Sequence, residues 1–230
     1  DCMAKLIAGH AAGLVGDITQ GMGMVDAVHQ HCTRTGDISI ATYASLAMGS
    51  LLGTLNRFEE AIHYYNTALA EARVSQSNRS RIYVLLSLAH ANFRLKDNHR
   101  SVKYLRQYLA LSKETRFQVV QDPFLLEIAW AMEQKQYPKI KDFCLERELA
   151  QTQKSHNIFM QRAAGYYKAL AMEVRNDDPR DVIDVYKHAL KKICRAGHQT
   201  YLAHVGLSMA RLMQRNGQEN QARKTALPLV

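Results

Sequence analysis

The densest cluster of metal-ligating side chains in this sequence is His29-Gln-His31-Cys32. On a helix, residues two apart point to different faces, so His29 and His31 cannot grip one ion together. His29 and Cys32 are three apart and share a face, but two ligands fall short of the four that a structural zinc site needs. The acidic pairs Glu59/Glu60 and Asp177/Asp178 are the other candidates for chemistry. They are adjacent in sequence and fall at turns or first helical turns, where carboxylates complement the positive end of a helix. No glycine-rich phosphate loop, nucleophile elbow or HExxH motif occurs. The expectation is a chain with no catalytic residue, no metal and no cofactor.

The four cysteines, Cys2, Cys32, Cys144 and Cys194, have no short spacing. They read as small core residues of a reducing compartment, which makes the cytoplasm the expected location. Met22 and Met24 read as adaptable core filling in the same way. No run of 18 apolar residues is present, so no membrane span is expected. The first residue is Asp and the last helix stops short at Leu227-Pro-Leu-Val230, so the chain reads as a segment of a longer protein.

The elements that carry these residues all show the 3.6-residue apolar period of helices, with no sustained alternation. Hydrophobic residues make up 47% of the 230, enough for a continuous core. The pattern predicts about twelve helices in six antiparallel pairs: 3–15 with 17–34, 38–55 with 57–75, 79–95 with 98–114, 122–135 with 138–153, 156–175 with 179–196, and a sixth pair from about 198 that turns at Asn216-Gly217. Asp17 is placed to cap the second helix and Asp122 the seventh, and Pro123, Pro138 and Pro179 to open later ones. Gly197 is placed to end the tenth. No linker-like stretch divides the chain, so residues 1–230 read as one domain.

The pairs repeat. Small residues recur 40 apart at Gly9, Gly49 and Ala89, and near three units further on at Ala210. A second set, Gly21, Ala61, Ser101 and Ala222, falls on the second helices. Two helices that must approach closely need small side chains at the crossing. The fourth pair breaks the pattern with Ile140 at the small position. Leu55, Leu95, Tyr64, Tyr65, Tyr104 and Tyr186 are expected to fill the gaps between units. A period in this range marks a stacked array.

The set Gly49, Leu55, Asn56-Arg57-Phe58-Glu-Glu-Ala61, Tyr65 and Ala68-Leu69 resembles the tetratricopeptide repeat. The repeat here is longer than the usual 34 residues and lacks the closing Pro. This long variant resembles the arrays of MalT-like, LuxR-family transcription activators, and of eukaryotic scaffold proteins. The resemblance implies an all-α, right-handed superhelical solenoid of about six repeats. It also implies that one face of the first helices lines a concave groove. On the aligned repeats that face carries Tyr43, Leu46 and Ser50, then Tyr83, Leu86, His90 and Phe93, and in the sixth unit His204, Leu207, Arg211 and Gln214. The alternative for several of them is packing against the next repeat.

The formal net charge is +9, and most of it is local. Between Arg73 and Phe117 ten Lys and Arg stand against Asp97 and Glu114; Arg94, Arg100, Lys103 and Arg106 are its centre. Such a face suits an anionic partner, or serves only to keep the surface solvated. No short recognition helix stands out, so direct nucleic-acid binding by this segment is not expected. The function expected is non-enzymatic recognition: ligand sensing or protein interaction within a larger signalling or transcription regulator. The partners would be a protein or peptide, a small anionic effector, and other domains of the same parent chain. The alternative is a static scaffold in a multiprotein assembly.

Overall fold

A computed structural model describes residues 1–117, 119, 123–154, 158–194 and 199–226. Among them the fold is all-α, with twelve helices and no strand. The chain forms two compact units, Asp1–Val119 and Val120–Val230.

The first unit holds α1 (Cys2–Leu14), α2 (Ile18–Thr35), α3 (Ile38–Thr54), α4 (Phe58–Val74), α5 (Asn78–Arg94) and α6 (Asn98–Thr115). Each helix packs against the next in sequence, and each first helix also touches the first helix of the following pair. The connections are alike. A residue with positive φ stands at Gly16, Gly36, Asn56, Gln76, Lys96 and Arg116, one every 20 residues. The following N–H donates to the carbonyl five residues back, at 2.9 to 3.1 Å, at Asp17, Asp37, Arg57, Ser77 and Asp97. This left-handed stop satisfies carbonyls that the helix end leaves open. The same residue then opens the next helix. Asp17 accepts from the Gln20 N–H at 3.2 Å, Asp37 from Ile40 at 3.1 Å, Ser77 from Ser80 at 3.2 Å and Asp97 from Arg100 at 3.0 Å. At Arg57 no side chain caps, and Glu59 and Glu60 occupy the first turn of α4.

The small residues lie where the sequence pattern puts them. A Cβ on Gly21 would stand 2.6 Å from the Gly13 nitrogen and the Gly9 oxygen, so α1 and α2 touch backbone to backbone. In the second pair Gly49 faces the Tyr65 ring. In the third, Ser101 is buried and donates to the Ala89 carbonyl at 2.7 Å. Tyr65 therefore fills its own pair, not the gap between units as the sequence suggests. Leu55 likewise departs from expectation: it is 40% exposed at the end of α3.

The second unit holds α7 (Phe124–Glu133), α8 (Leu145–Lys154), α9 (Ile158–Val174), α10 (Pro179–Cys194), α11 (Gln199–Arg215) and α12 (Glu219–Ala226). Pro179 opens α10 as expected, with Asp178 accepting from the Arg180 N–H at 2.8 Å. Its core includes Val182, Tyr186, Val205, Met209 and Met213. The helix expected at 138–153 starts only at Leu145, and Pro138 does not open it. Residues 138–144 are not helical. Lys135 and Asp142 both have positive φ, and Tyr137, Ile140 and Phe143 are buried. Apolar anchoring of this strip replaces the helix turn that the repeat would have had. Gly197, expected to end α10, and Asp122, expected to cap α7, lie outside the described residues.

Candidate partner-binding face

The first helices of the first unit carry a column of polar and aromatic side chains with the 40-residue period. Ser50 Oγ on α3 shares a 3.2 Å hydrogen bond with His10 Nε2 on α1. Burial lowers the His10 pKa, so the ring is held toward its neutral form. His90 takes the equivalent place on α5. It is buried, meeting Phe58 edge-on and Phe93 at a tilt, each with ring centres 6.3 Å away. His10 was missed by the sequence reading, although the 10, 50, 90 spacing was there to be read.

Tyr43, Ser50, Tyr83 and Phe93 are half-buried, the state expected of side chains that show one edge to solvent. Tyr83 packs against Phe117 at 6.0 Å, and the Arg79 guanidinium lies 5.3 Å above that same Phe117 ring. Near the end of α5, Arg94 covers the Phe58 ring at 4.9 Å and donates to the Asn56 side-chain oxygen at 3.2 Å. Arg94 thus ties the second pair to the third. It stands apart from Arg100, Lys103 and Arg106, which follow one another along exposed positions of α6. Of these, Arg100 pairs with Asp97 at 3.4 Å. In the second unit His204 and Arg211 are exposed on α11, two turns apart on one side.

Residues 43–73 match the family model of the tetratricopeptide repeat. The tetratricopeptide match starts at Tyr43 in α3 and ends at Arg73 in the last turn of α4, so it coincides with the second helix pair. With the stacked pairs on either side of it, it supports a tetratricopeptide-type helical solenoid, an architecture that points to protein interaction. No curated protein sequence matches the chain.

Two chemical candidates have ordinary structural roles. His29 is half-buried, and its Nε2 lies 3.1 Å from Glu71 Oε1, joining α2 to α4. Glu71 lies 42 positions away, which hid the pair from a search of local spacing. Among the described residues no group of three or more His, Cys, Asp or Glu is placed to hold a metal ion. Cys32 is buried, and burial pushes its thiol up to about 11, with Cys2 beside it a lesser cause. Cys144, expected in the core, is exposed. No helix among the described residues is long and apolar enough to cross a membrane.

Proposed function

We propose that the first unit docks a segment of another protein along the face of α3 and α5 that carries Tyr43, Ser50, Tyr83 and Phe93. The observation that carries this reading is the recurrence of half-buried aromatic side chains at equivalent positions of adjacent first helices. Aromatic rings give large contact area for little lost rotamer freedom, and they dominate protein interfaces. His90 serves from below, packing Phe58 and Phe93. The cations of α6 favour an anionic segment and speed its approach. In the second unit, His204 and Arg211 on α11 would offer a recognition surface of that unit's own. The role is recognition without catalysis, and the location is the cytoplasm.

We place this docking array in a larger signalling or transcription regulator, where it answers to other domains of the parent chain. What supports that context is the 40-residue repeat, which resembles the arrays of MalT-like activators. There a small anionic effector would bias how repeats stack, because each interface is a separate energy term.

Native mass spectrometry of the chain recovered from its host lysate tests both levels. A bound protein that is lost from the Tyr43→Ala/Tyr83→Ala variant, at unchanged helicity, supports docking on this face. A small adduct that leaves on gentle activation supports effector sensing. A protein partner that the double variant retains in full sinks the assignment of the face.

A further inference from the structure

The glycine crossing of α1 and α2 sets a register that can be followed outward along the pair. A Cβ on Gly9 would stand 2.8 Å from Met24 Cβ and 3.4 Å from Val25 Cγ2. The two helices run antiparallel, so one turn from this crossing brings Leu6 opposite Val28, and each is 4% exposed. Two turns from it, seven residues along each helix, bring Cys2 opposite Cys32. Cys32 is buried and Cys2 partly so, and both are free thiols. Burial raises the Cys32 thiol, and its hydrogen-bonding contact with Cys2 raises it further.

The repeat does not ask for thiols at this joint. Forty residues on, the same positions hold Thr42 and Ala72, and forty more give Ile82 and Ser112. Thr42, Ala72 and Ile82 are fully buried, and Ser112 is half-buried. Methyl and hydroxyl groups therefore fill this place well enough in the second and third pairs. Only the first pair sets sulfur against sulfur.

We infer that Cys2 and Cys32 form a reversible disulfide that clasps the outer end of the first helix pair, made by exchange with a low-molecular-weight disulfide such as oxidised glutathione. The first attack falls to Cys2, because burial leaves little Cys32 thiolate. The Cys2 thiolate attacks one sulfur of the oxidant, a mixed disulfide forms, and one reduced thiol leaves. Cys32 then gives up its proton and attacks the Cys2 sulfur, and the second reduced thiol leaves with a proton. The protein loses two hydrogens and two electrons, and the oxidant takes up both as two thiols. A bridge needs Cα atoms about 4.4–6.8 Å apart, and backbone contact at Gly21 keeps the helices close enough for that. The bond joins the first turn of α1 to the last turn of α2. In a reducing compartment it is transient and follows the thiol–disulfide balance.

The test equilibrates the folded chain with mixtures of oxidised and reduced glutathione, alkylates the remaining thiols and maps tryptic peptides by mass. Cleavage after Lys5 and Arg34 puts Cys2 on residues 1–5 and Cys32 on residues 6–34, so the bridge joins two separate peptides. The folded chain should reach half-formation of this link at an oxidant ratio at least tenfold lower than the chain in denaturing urea, because the fold holds the two thiols together. Hydrogen exchange of the α1 amides should slow at least tenfold on oxidation and recover with dithiothreitol. The Cys2→Ser chain, with circular dichroism to confirm its helices, should show neither effect. Three results overturn the proposal: Cys2 that stops at the mixed disulfide with glutathione, a link that forms no more readily in the folded chain than in urea, or a link that leaves α1 exchange unchanged.

Discussion

Gly49 and Tyr65 share one space: a Cβ on Gly49 would stand 2.4 Å from the Tyr65 Cε1 atom. The neighbouring pair solves the same crossing with a different division of volume. There Ala89 stands in the place of Gly49, Leu105 in the place of Tyr65, and both are fully buried. Gly49→Ala alone should cost about 1–3 kcal/mol, the usual range for overpacking a filled core. Adding Tyr65→Leu should restore most of the loss, since it reproduces the third pair's solution. Thermal melts of the single and double variants check this, and a double variant no better than the single would refute the shared-volume account.

Lys96 holds φ at +62 in the turn between α5 and α6, and it is exposed. A side chain in that conformation carries a steric cost of about 1–2 kcal/mol that glycine avoids. Glycine returns part of it through the freedom it adds to the unfolded chain. Lys96→Gly should therefore stabilise by roughly 0.5–1 kcal/mol, a rise in Tm of about 1–4 °C for a chain of this size. Denaturant melts at fixed m-value report the sign.

Glu148 on α8 is only 5% exposed, and burial raises its carboxyl from 4.5 to about 7, against a smaller opposing pull from Arg147. The folded chain binds this proton more tightly than the unfolded chain does. The stabilisation is complete below the unfolded value, and it is lost as the pH rises from about 4.5 toward 7. The full swing is on the order of 3 kcal/mol. Glu148→Gln keeps the neutral shape and should flatten this limb of the stability curve. Urea melts of both proteins at pH 5 and pH 7.5 should differ for the wild type far more than for the variant.

The hydrogen bond between His29 and Glu71 leaves one carboxyl oxygen over: Glu71 Oε2 is buried without a hydrogen-bond partner. Removing one side of such a pair costs more than removing both, because a carboxylate is left with no partner at all. His29→Leu should destabilise by about 1–3 kcal/mol, and His29→Leu/Glu71→Leu by clearly less. The double-mutant cycle gives the coupling directly. Additive losses would show that the contact contributes nothing.

The crossings were legible in the sequence because close backbone approach admits only small residues, and Gly9, Gly49, Ala89 and their partners state that constraint openly. The tetratricopeptide character of the second pair was legible for the same reason. The turns were half legible. Asp17 announces its cap, but the left-handed residues at Gln76, Lys96 and Arg116 carry no glycine to mark them. The fourth pair was misread because Tyr137, Ile140 and Phe143 keep a spacing that suits a helix while anchoring a strip that is not one. At the candidate face, the 40-residue alignment located Ser50 and His90, and one repeat further back it reaches His10. Only the hydrogen bond between His10 and Ser50 needed coordinates, because spacing gives a position and not a contact.

The left-handed stops from Gly16 to Arg116 come every 20 residues, so the joint inside a helix pair and the joint between pairs are the same device. A rod whose joints are all alike has no elbow written into its backbone. When the first unit is pulled or bent, compliance is set by the side-chain contacts at each step and is shared along its length. Tension applied at one end reaches the other as many small rotations, and resistance can be tuned at any single step by changing what lies between two helices without touching what connects them.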